Sequence, residues 1–169
     1  MKFAIISLLA LSTCFSLAGP ANAERSSHTL SGEWQFRRED DGSGWKTVTI
    51  PSSFEEHEGT DFDGVGVYKK QLEPITLPVG MRAIIHFQAV ATLAEVTFDG
   101  QLVGKHLGGW TPFRIDVTEL VRKAKQGANH ELVVRVDEKV GHNSQGFLPV
   151  FAPHFGGIWQ DVQLLIVPD

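Results

Sequence analysis

Short runs of alternating apolar and polar residues recur along this chain, separated by Gly, Pro, Asp and Asn. In residues 30–36, Leu30, Trp34 and Phe36 fall on one face of an extended strand. Further short β-rich runs predict strands at residues 47–50, 67–72, 84–87, 113–117, 131–136 and 161–167. Residues 84–87 are apolar on both faces, as in a central strand, and only residues 118–121 favour a helical turn, with Thr118 as its cap. Many short strands with little helix predict an all-β sandwich or barrel.

The clearest local signal is a hairpin. Val96 and Phe98 alternate with polar neighbours, Asp99 and Gly100 follow, and Leu102 begins the return strand. A two-residue turn requires positive φ at both positions, which Asp tolerates and Gly adopts freely. We therefore expect Asp99 and Gly100 to form the tip.

The first 23 residues are typical of a secretory signal peptide. Lys2 precedes a mostly apolar stretch over residues 3–17, and Ala21-Asn22-Ala23 gives a small-x-small cleavage site. A membrane anchor is the alternative, but the stretch is shorter than the ~20 residues of a spanning helix; lipidation at Cys14 is another. Cleavage after Ala23 predicts a secreted or periplasmic protein, with one domain over residues 24–169 and no membrane association after cleavage.

Composition excludes several other classes of function. The formal net charge is −5, so no electrostatic argument favours nucleic acid or anionic lipid. The single cysteine, Cys14, lies in the predicted signal peptide, so the mature domain has no disulfide or cysteine metal site.

Six motifs occur in a fixed order along almost the whole predicted domain. They are Leu30-x-Gly32-x-Trp34-x-Phe36, Trp45-Lys46-x-Val48-x-Ile50-Pro51, Gly64-Val65-Gly66-Val67-Tyr68-Lys69-Lys70, the hairpin followed by Gly108-Gly109-Trp110-Thr111-Pro112-Phe113, Asn129-x-Glu131-Leu132-Val133-Val134-Arg135-Val136-Asp137, and Gly156-Gly157-Ile158-Trp159-Gln160-Asp161-Val162. Together they resemble the N-terminal sugar-binding domain of family 2 glycoside hydrolases, which include β-galactosidases, β-glucuronidases and β-mannosidases.

The resemblance implies a jelly-roll β-sandwich of the galactose-binding-domain type. In full family members this domain lies beside an immunoglobulin-like domain and a TIM barrel with two catalytic glutamates. Because the sequence ends at Asp169, we expect no catalytic residue here and no cofactor. The expected function is carbohydrate binding accessory to O-glycosyl bond hydrolysis, with carbohydrate or a glycosidase catalytic domain as the partner. The alternatives are a truncated family 2 glycosidase and a protein-interaction sandwich that binds no sugar.

The polar residues give no independent sign of catalysis or metal binding. The acidic groups Glu39-Asp40-Asp41 and Glu55-Glu56-x-Glu58 lie in polar stretches, and we expect them in solvated loops. None of the seven histidines has a metal-binding spacing, so no metal site is predicted.

Two tryptophans and one long loop are the candidate sugar-binding groups. Trp110 and Trp159 follow glycine pairs, and aromatic faces stack on the C–H faces of sugars. The loop at residues 137–157 adds His142, Asn143, Gln145 and His154. Packing at the edge of the sandwich is the alternative for both tryptophans, and docking of a protein is the alternative for the loop. Phe151 stands where family enzymes often have an aspartate that reaches toward the sugar.

Overall fold

The computed structural model describes residues 24–39, 42, 44–139 and 155–169. These residues form two short helices, α1 (Phe54–Glu58) and α2 (Thr118–Lys123), and ten strands: β1 (Ser26–Thr29), β2 (Gly32–Arg38), β3 (Lys46–Ile50), β4 (Val65–Leu72), β5 (Met81–Phe87), β6 (Leu93–Phe98), β7 (Gln101–Leu107), β8 (Phe113–Asp116), β9 (His130–Asp137) and β10 (Val162–Pro168). Neither helix is long and apolar enough to cross a membrane. The predicted signal peptide lies outside the described residues.

The strands form two sheets with antiparallel neighbours throughout. One sheet has the order β1-β10-β5-β8, and the other has the order β3-β2-β4-β9-β6-β7. Strands β9 and β10 each lie between strands distant in sequence, so neither sheet is complete without long-range pairing. The predicted all-β sandwich is confirmed.

The core forms where the alternating patterns place apolar side chains. Leu30, Trp34 and Phe36 are buried as predicted, and the Trp34 indole N–H donates to the Leu30 carbonyl at 2.8 Å. Both Ile84 and Ile85 of β5 are buried, as expected for a strand apolar on both faces. Burial of these side chains is the main favourable term for folding.

Helix α1 contradicts the prediction of a solvated acidic loop. Ser53 and Glu56 form a capping box, and Phe54 enters the core. The Glu58 side chain is only 5% exposed, because it forms ion pairs with Arg38 and Lys46. Burial raises the pKa of the Glu58 carboxyl, but hydrogen bonds from these two cations outweigh burial and leave the pKa below its usual value.

Helix α2 confirms the predicted helical turn but not its cap. Thr118 is the first helical residue, and its hydroxyl oxygen accepts from the Ala83 backbone N–H at 3.0 Å. The Asp116 carboxylate accepts from the Thr118 N–H at 2.9 Å instead. The threonine therefore connects the helix to β5.

The predicted hairpin is confirmed. Strand β6 ends at Phe98 and β7 begins at Gln101, while Asp99 and Gly100 have φ angles of 48° and 78°. The Asp99 carboxylate also accepts from the Glu131 N–H at 2.8 Å, which ties the turn to β9.

Gly100→Val should lower the free energy of unfolding by about 1–2 kcal/mol, because a β-branched residue resists positive φ. A Cβ at Gly100 meets nothing within 4 Å, so the loss reports backbone conformation alone. Denaturant titration measures it. Gly44→Val is the control, because Gly44 has equally open surroundings without positive φ. Equal losses in the two variants would contradict the explanation.

Candidate functional site

Residues 155–159 run against helix α1 and the segment before β6. The Phe54 N–H donates to the Gly156 carbonyl at 2.8 Å, and the Ser52 N–H donates to the Ile158 carbonyl at 3.0 Å. Gly157 and Ala91 exchange two further backbone hydrogen bonds of 2.8 and 3.0 Å. We call residues 155–159, with these contacts, the glycine seam.

The close approach in the glycine seam requires both glycines. A Cβ at Gly156 would lie 2.5 Å from a ring carbon of Phe54. At Gly157 the φ angle is 111°, and a Cβ would lie 2.8 Å from the Tyr68 hydroxyl. Side chains of any other type would therefore push the segment outward.

The glycine seam places Trp159 directly beside Trp110. The Trp159 indole N–H donates to the Gly109 carbonyl at 2.8 Å, and the two rings meet edge to face with centroids 4.7 Å apart. Phe155 contacts both rings at 5.3 and 5.4 Å. Trp159 is partly buried in this cluster, whereas Trp110 stays 49% exposed. The packing alternative therefore describes Trp159 better than Trp110.

The loop that carries Trp110 is held at both ends. The Gly108 N–H donates to the Thr92 carbonyl at 2.9 Å. The His106 ring stacks on Phe113 at 4.3 Å, and its Nε2 lies 3.1 Å from the Thr111 hydroxyl. The exposed indole is thus presented by a loop with fixed ends.

Trp110 and Trp159 line an open groove of about 490 Å³ at one end of β5 and β8. The other described lining residues are His86, Gln88, Ala89, Pro112, Arg114 and Gln160. His86 and Arg114 are direct partners across the β5–β8 ladder. Burial, and then the charge of Arg114, lower the pKa of His86, so its imidazole is neutral at pH 7. The groove offers an aromatic face, two amides, an imidazole and a guanidinium.

The sequence matches the family described as "Glycosyl hydrolases family 2, sugar binding domain" over residues 20–168. The chain belongs to this family. Because the match extends over nearly the whole chain, the resemblance found in the six motifs is confirmed.

Relatives of the sugar-binding domain are parts of much longer glycosidases. A β-galactosidase of Thermoanaerobacter pseudethanolicus is 34% identical over 76% of this chain and 18% of its own length. A β-glucuronidase of Bacteroides fragilis is 27% identical over 88% of this chain and 22% of its own length. The crystal structure of an FMN-binding β-glucuronidase from Facaelibacterium prausnitzii L2-6 superposes with a TM-score of 0.68 at 27% identity, over 87% of this chain and 23% of that one. The chain thus spans about a fifth of these relatives, and the jelly-roll fold is confirmed.

The sequence located only part of the candidate site in the sugar-binding domain. Trp110 and Trp159 meet at the groove, whereas His142, Asn143, Gln145, His154 and the divergent Phe151 lie outside the described residues. The polar groups that line the groove were not predicted: His86, Gln88, Arg114 and Gln160. For Arg114 a signal existed, because it alternates with apolar Phe113 and Ile115 and so points outward from β8.

A second polar cluster lies behind the glycine seam. Glu138 is 2% exposed, and a Cβ at Gly156 would lie 3.0 Å from the Cβ of Glu138. Both carboxylate oxygens of Glu138 and of Glu55 are buried and make no hydrogen bond of standard geometry with the described residues, although the Gly64 backbone N–H and the Glu55 carboxyl lie close enough to shift the pKa of Glu138. The two carboxyls hydrogen-bond only when one holds a proton. Burial, followed by the charges of Glu55 and Asp63, raises the pKa of Glu138 to about 8.

No group of three or more His, Cys, Asp or Glu residues in the described part of the chain is arranged to hold a metal ion. The Glu55–Glu138 pair is interpreted as a structural contact, because both carboxyls are buried and burial raises the pKa of Glu138.

The stability of the domain should fall as pH rises from about 4.5 to about 8, since folded Glu138 keeps a proton that the unfolded chain releases. Glu138→Gln mimics the protonated carboxyl. This variant should lack up to about 5 kcal/mol of the pH-dependent loss in the free energy of unfolding. Its gain in stability over the wild type should therefore be largest above pH 8. Denaturant titrations between pH 4.5 and 9 measure the effect, with Glu33→Gln on the exposed face of β2 as the control. An unchanged pH profile in Glu138→Gln would show that the carboxyl is ionised in the folded domain.

Proposed function

We propose that this domain is a secreted carbohydrate-binding module that assists O-glycosyl bond hydrolysis and is not catalytic by itself. The observation that carries the proposal is the half-exposed Trp110 ring at an open groove with polar side chains around it. The signal-like residues 1–23 support secretion and a mature domain over residues 24–169.

The groove suits a pyranose ring by its chemistry. A sugar has C–H faces that stack on an indole and hydroxyls that pair with amides. Gln88 and Gln160 supply donors and acceptors, and the neutral His86 ring supplies one of each. An aromatic plane with amides around it therefore favours a polyol over a purely apolar ligand.

The relatives support a role in glycoside hydrolysis. They are β-galactosidases and β-glucuronidases in which a domain like this one is about a fifth of the chain. We infer that the partner of this domain is a glycosidase catalytic domain, either in the same polypeptide or in a separate one.

The carboxylates that the structure describes do not suggest an arrangement for glycoside hydrolysis. A retaining glycosidase requires two carboxyls about 5–5.5 Å apart on either side of the scissile bond. The described lining of the groove contains no carboxyl group. Glu55 and Glu138 are a close buried pair of carboxyls, and their oxygens are inaccessible to a substrate.

Trp110→Ala should weaken binding of a cognate methyl glycoside about 3- to 10-fold, because it removes the stacking surface of the groove. Isothermal titration with methyl β-galactoside, β-glucuronide and β-mannoside measures the loss. Trp45→Ala is the matched control. Trp45 is 39% exposed, but it lies on the other sheet between Arg37 and Lys69.

Equal heats of binding in the wild type and in Trp110→Ala would show that Trp110 does not form a sugar-binding site. The aromatic cluster would then be better explained as a surface for docking a protein domain.

The purified chain should not hydrolyse nitrophenyl β-galactoside, β-glucuronide or β-mannoside above the rate in buffer. Release of nitrophenol, followed by absorbance, tests this expectation. Turnover that follows the domain through successive columns and persists in Trp45→Ala but not in Trp110→Ala would contradict the non-catalytic role.

A further inference from the structure

A second cavity, of about 500 Å³, opens between the two sheets beside β1, and we call it the β1 cleft. Its apolar wall comes from both sheets, because Leu164 and Ile166 belong to β10 and Leu72 belongs to β4. Leu30 and the partly buried Ile75 complete this wall. None of the described lining residues is aromatic, and none also lines the groove at β5 and β8. The β1 cleft is therefore a separate cavity with a different chemistry.

Lys70 lies on the inner face of β4 and lines the β1 cleft. Alternation along the strand places Lys70 on the same side as Tyr68 and Leu72, which are both buried in the core. Its ammonium group donates to the Glu33 carbonyl at 3.0 Å and lies 5.6 Å from the centre of the Trp34 ring. A lysine on the core side of a strand is unusual, because its ammonium group loses hydration there.

The charge of Lys70 has no direct counter-ion in the part of the chain that the structure describes. Its one hydrogen bond goes to a neutral carbonyl, and it forms no ion pair with a described residue. Burial lowers the pKa of the Lys70 ammonium, and the charge of Glu33 raises it by less. Glu73 also lines the cleft, but it is exposed at the rim. An anionic group bound in the cleft would therefore supply the charge that Lys70 lacks.

We propose that the β1 cleft binds a medium-chain aliphatic carboxylate, whose chain lies against Leu72 and Leu164 and whose carboxylate pairs with Lys70. Small-molecule sites are typically cavities of about 300–1,000 Å³ with apolar walls and few polar groups. Aliphatic walls without an aromatic ring suit an alkyl chain and give a sugar no surface on which to stack. This inference does not rest on the proposed sugar binding, since the two cavities share no described residue.

The charge of the cleft favours a carboxylate over other anions. A phosphate group carries nearly two charges and is usually bound by several donors at once. The β1 cleft offers one ammonium group, and a single point charge on a flexible stem can follow a singly charged head group.

The test compares octanoate with octan-1-ol, which have the same number of carbon atoms and differ in the charge of the head group. Isothermal titration of the whole chain should show that octanoate binds about 5- to 10-fold more tightly, as for one partly buried charged pair. Hexanoate should bind about 5- to 15-fold more weakly than octanoate, because it buries two fewer CH₂ groups.

Lys70→Met keeps an unbranched side chain and removes the charge. It should abolish the preference for octanoate and leave the affinity for octan-1-ol unchanged. Lys69→Met is the matched control. Lys69 is the preceding residue of β4, but it lies on the outer face, where its ammonium group is 4.2 Å from the centre of the Trp45 ring. This control should keep the preference.

Thr76→Trp tests the position of the ligand. Thr76 is an exposed lining residue, so an indole there can fill the cleft without replacing a core side chain. This variant should bind neither octanoate nor octan-1-ol, and a denaturant titration checks that it is folded.

Three outcomes would overturn the inference. Absence of heat with octanoate in the wild type would show that the cleft is no carboxylate site. Undiminished binding in folded Thr76→Trp would place the ligand elsewhere. A preference for octanoate that persists in Lys70→Met would show that Lys70 does not pair with the carboxylate. None of these results bears on the sugar site, which the Trp110→Ala titration tests separately.

Discussion

The approach of Gly156 and Gly157 to helix α1 is the contact on which the site depends. Two missing Cβ atoms allow the backbone to lie against Phe54 and Tyr68, where any side chain would overlap them. Four backbone hydrogen bonds, to Ser52, to Phe54 and two to Ala91, then hold the segment. Buried backbone groups need hydrogen-bond partners, and these four bonds supply them. The bonds can form only because the two glycines allow the segments to approach closely. A displacement of residues 155–159 would break their backbone hydrogen bonds with residues 52–54 and with Ala91.

The position of Trp159 follows from the glycine seam. Ile158 is fully buried, so the next side chain points outward, toward Gly109 and Trp110. Strand β10 begins three residues later and pairs with both β1 and β5. Trp110 comes from an independent loop that His106 and Gly108 hold. The aromatic surface is therefore built from two loops that are held by different contacts, and neither loop would form it alone.

The alternation of apolar and polar residues predicted the strands of this domain. It could do so because each strand buries one face, and this pattern lies within the strand's own sequence. The hairpin was equally predictable, since positive φ at Asp99 and Gly100 is a property of those two residues. Helix α1 was missed because five residues with a single buried apolar side chain, Phe54, give no helical period. The burial of Glu58 depends on Arg38 and Lys46, which come from other elements. Likewise, the polar lining of the groove follows from the β5–β8 register, and long-range pairing is not visible in a local pattern.

Net charge is a poor guide to the ligand preference of such a groove. The chain as a whole would repel an anion, but fields of exposed charges are screened beyond about 8 Å at physiological ionic strength. Within that distance the balance depends on which local charges are already paired. Asp116 is held by Arg82, and behind the glycine seam burial raises the pKa of Glu138. Acidic residues thus account for the net charge, whereas the described lining of the groove contains no carboxyl group and one guanidinium, that of Arg114.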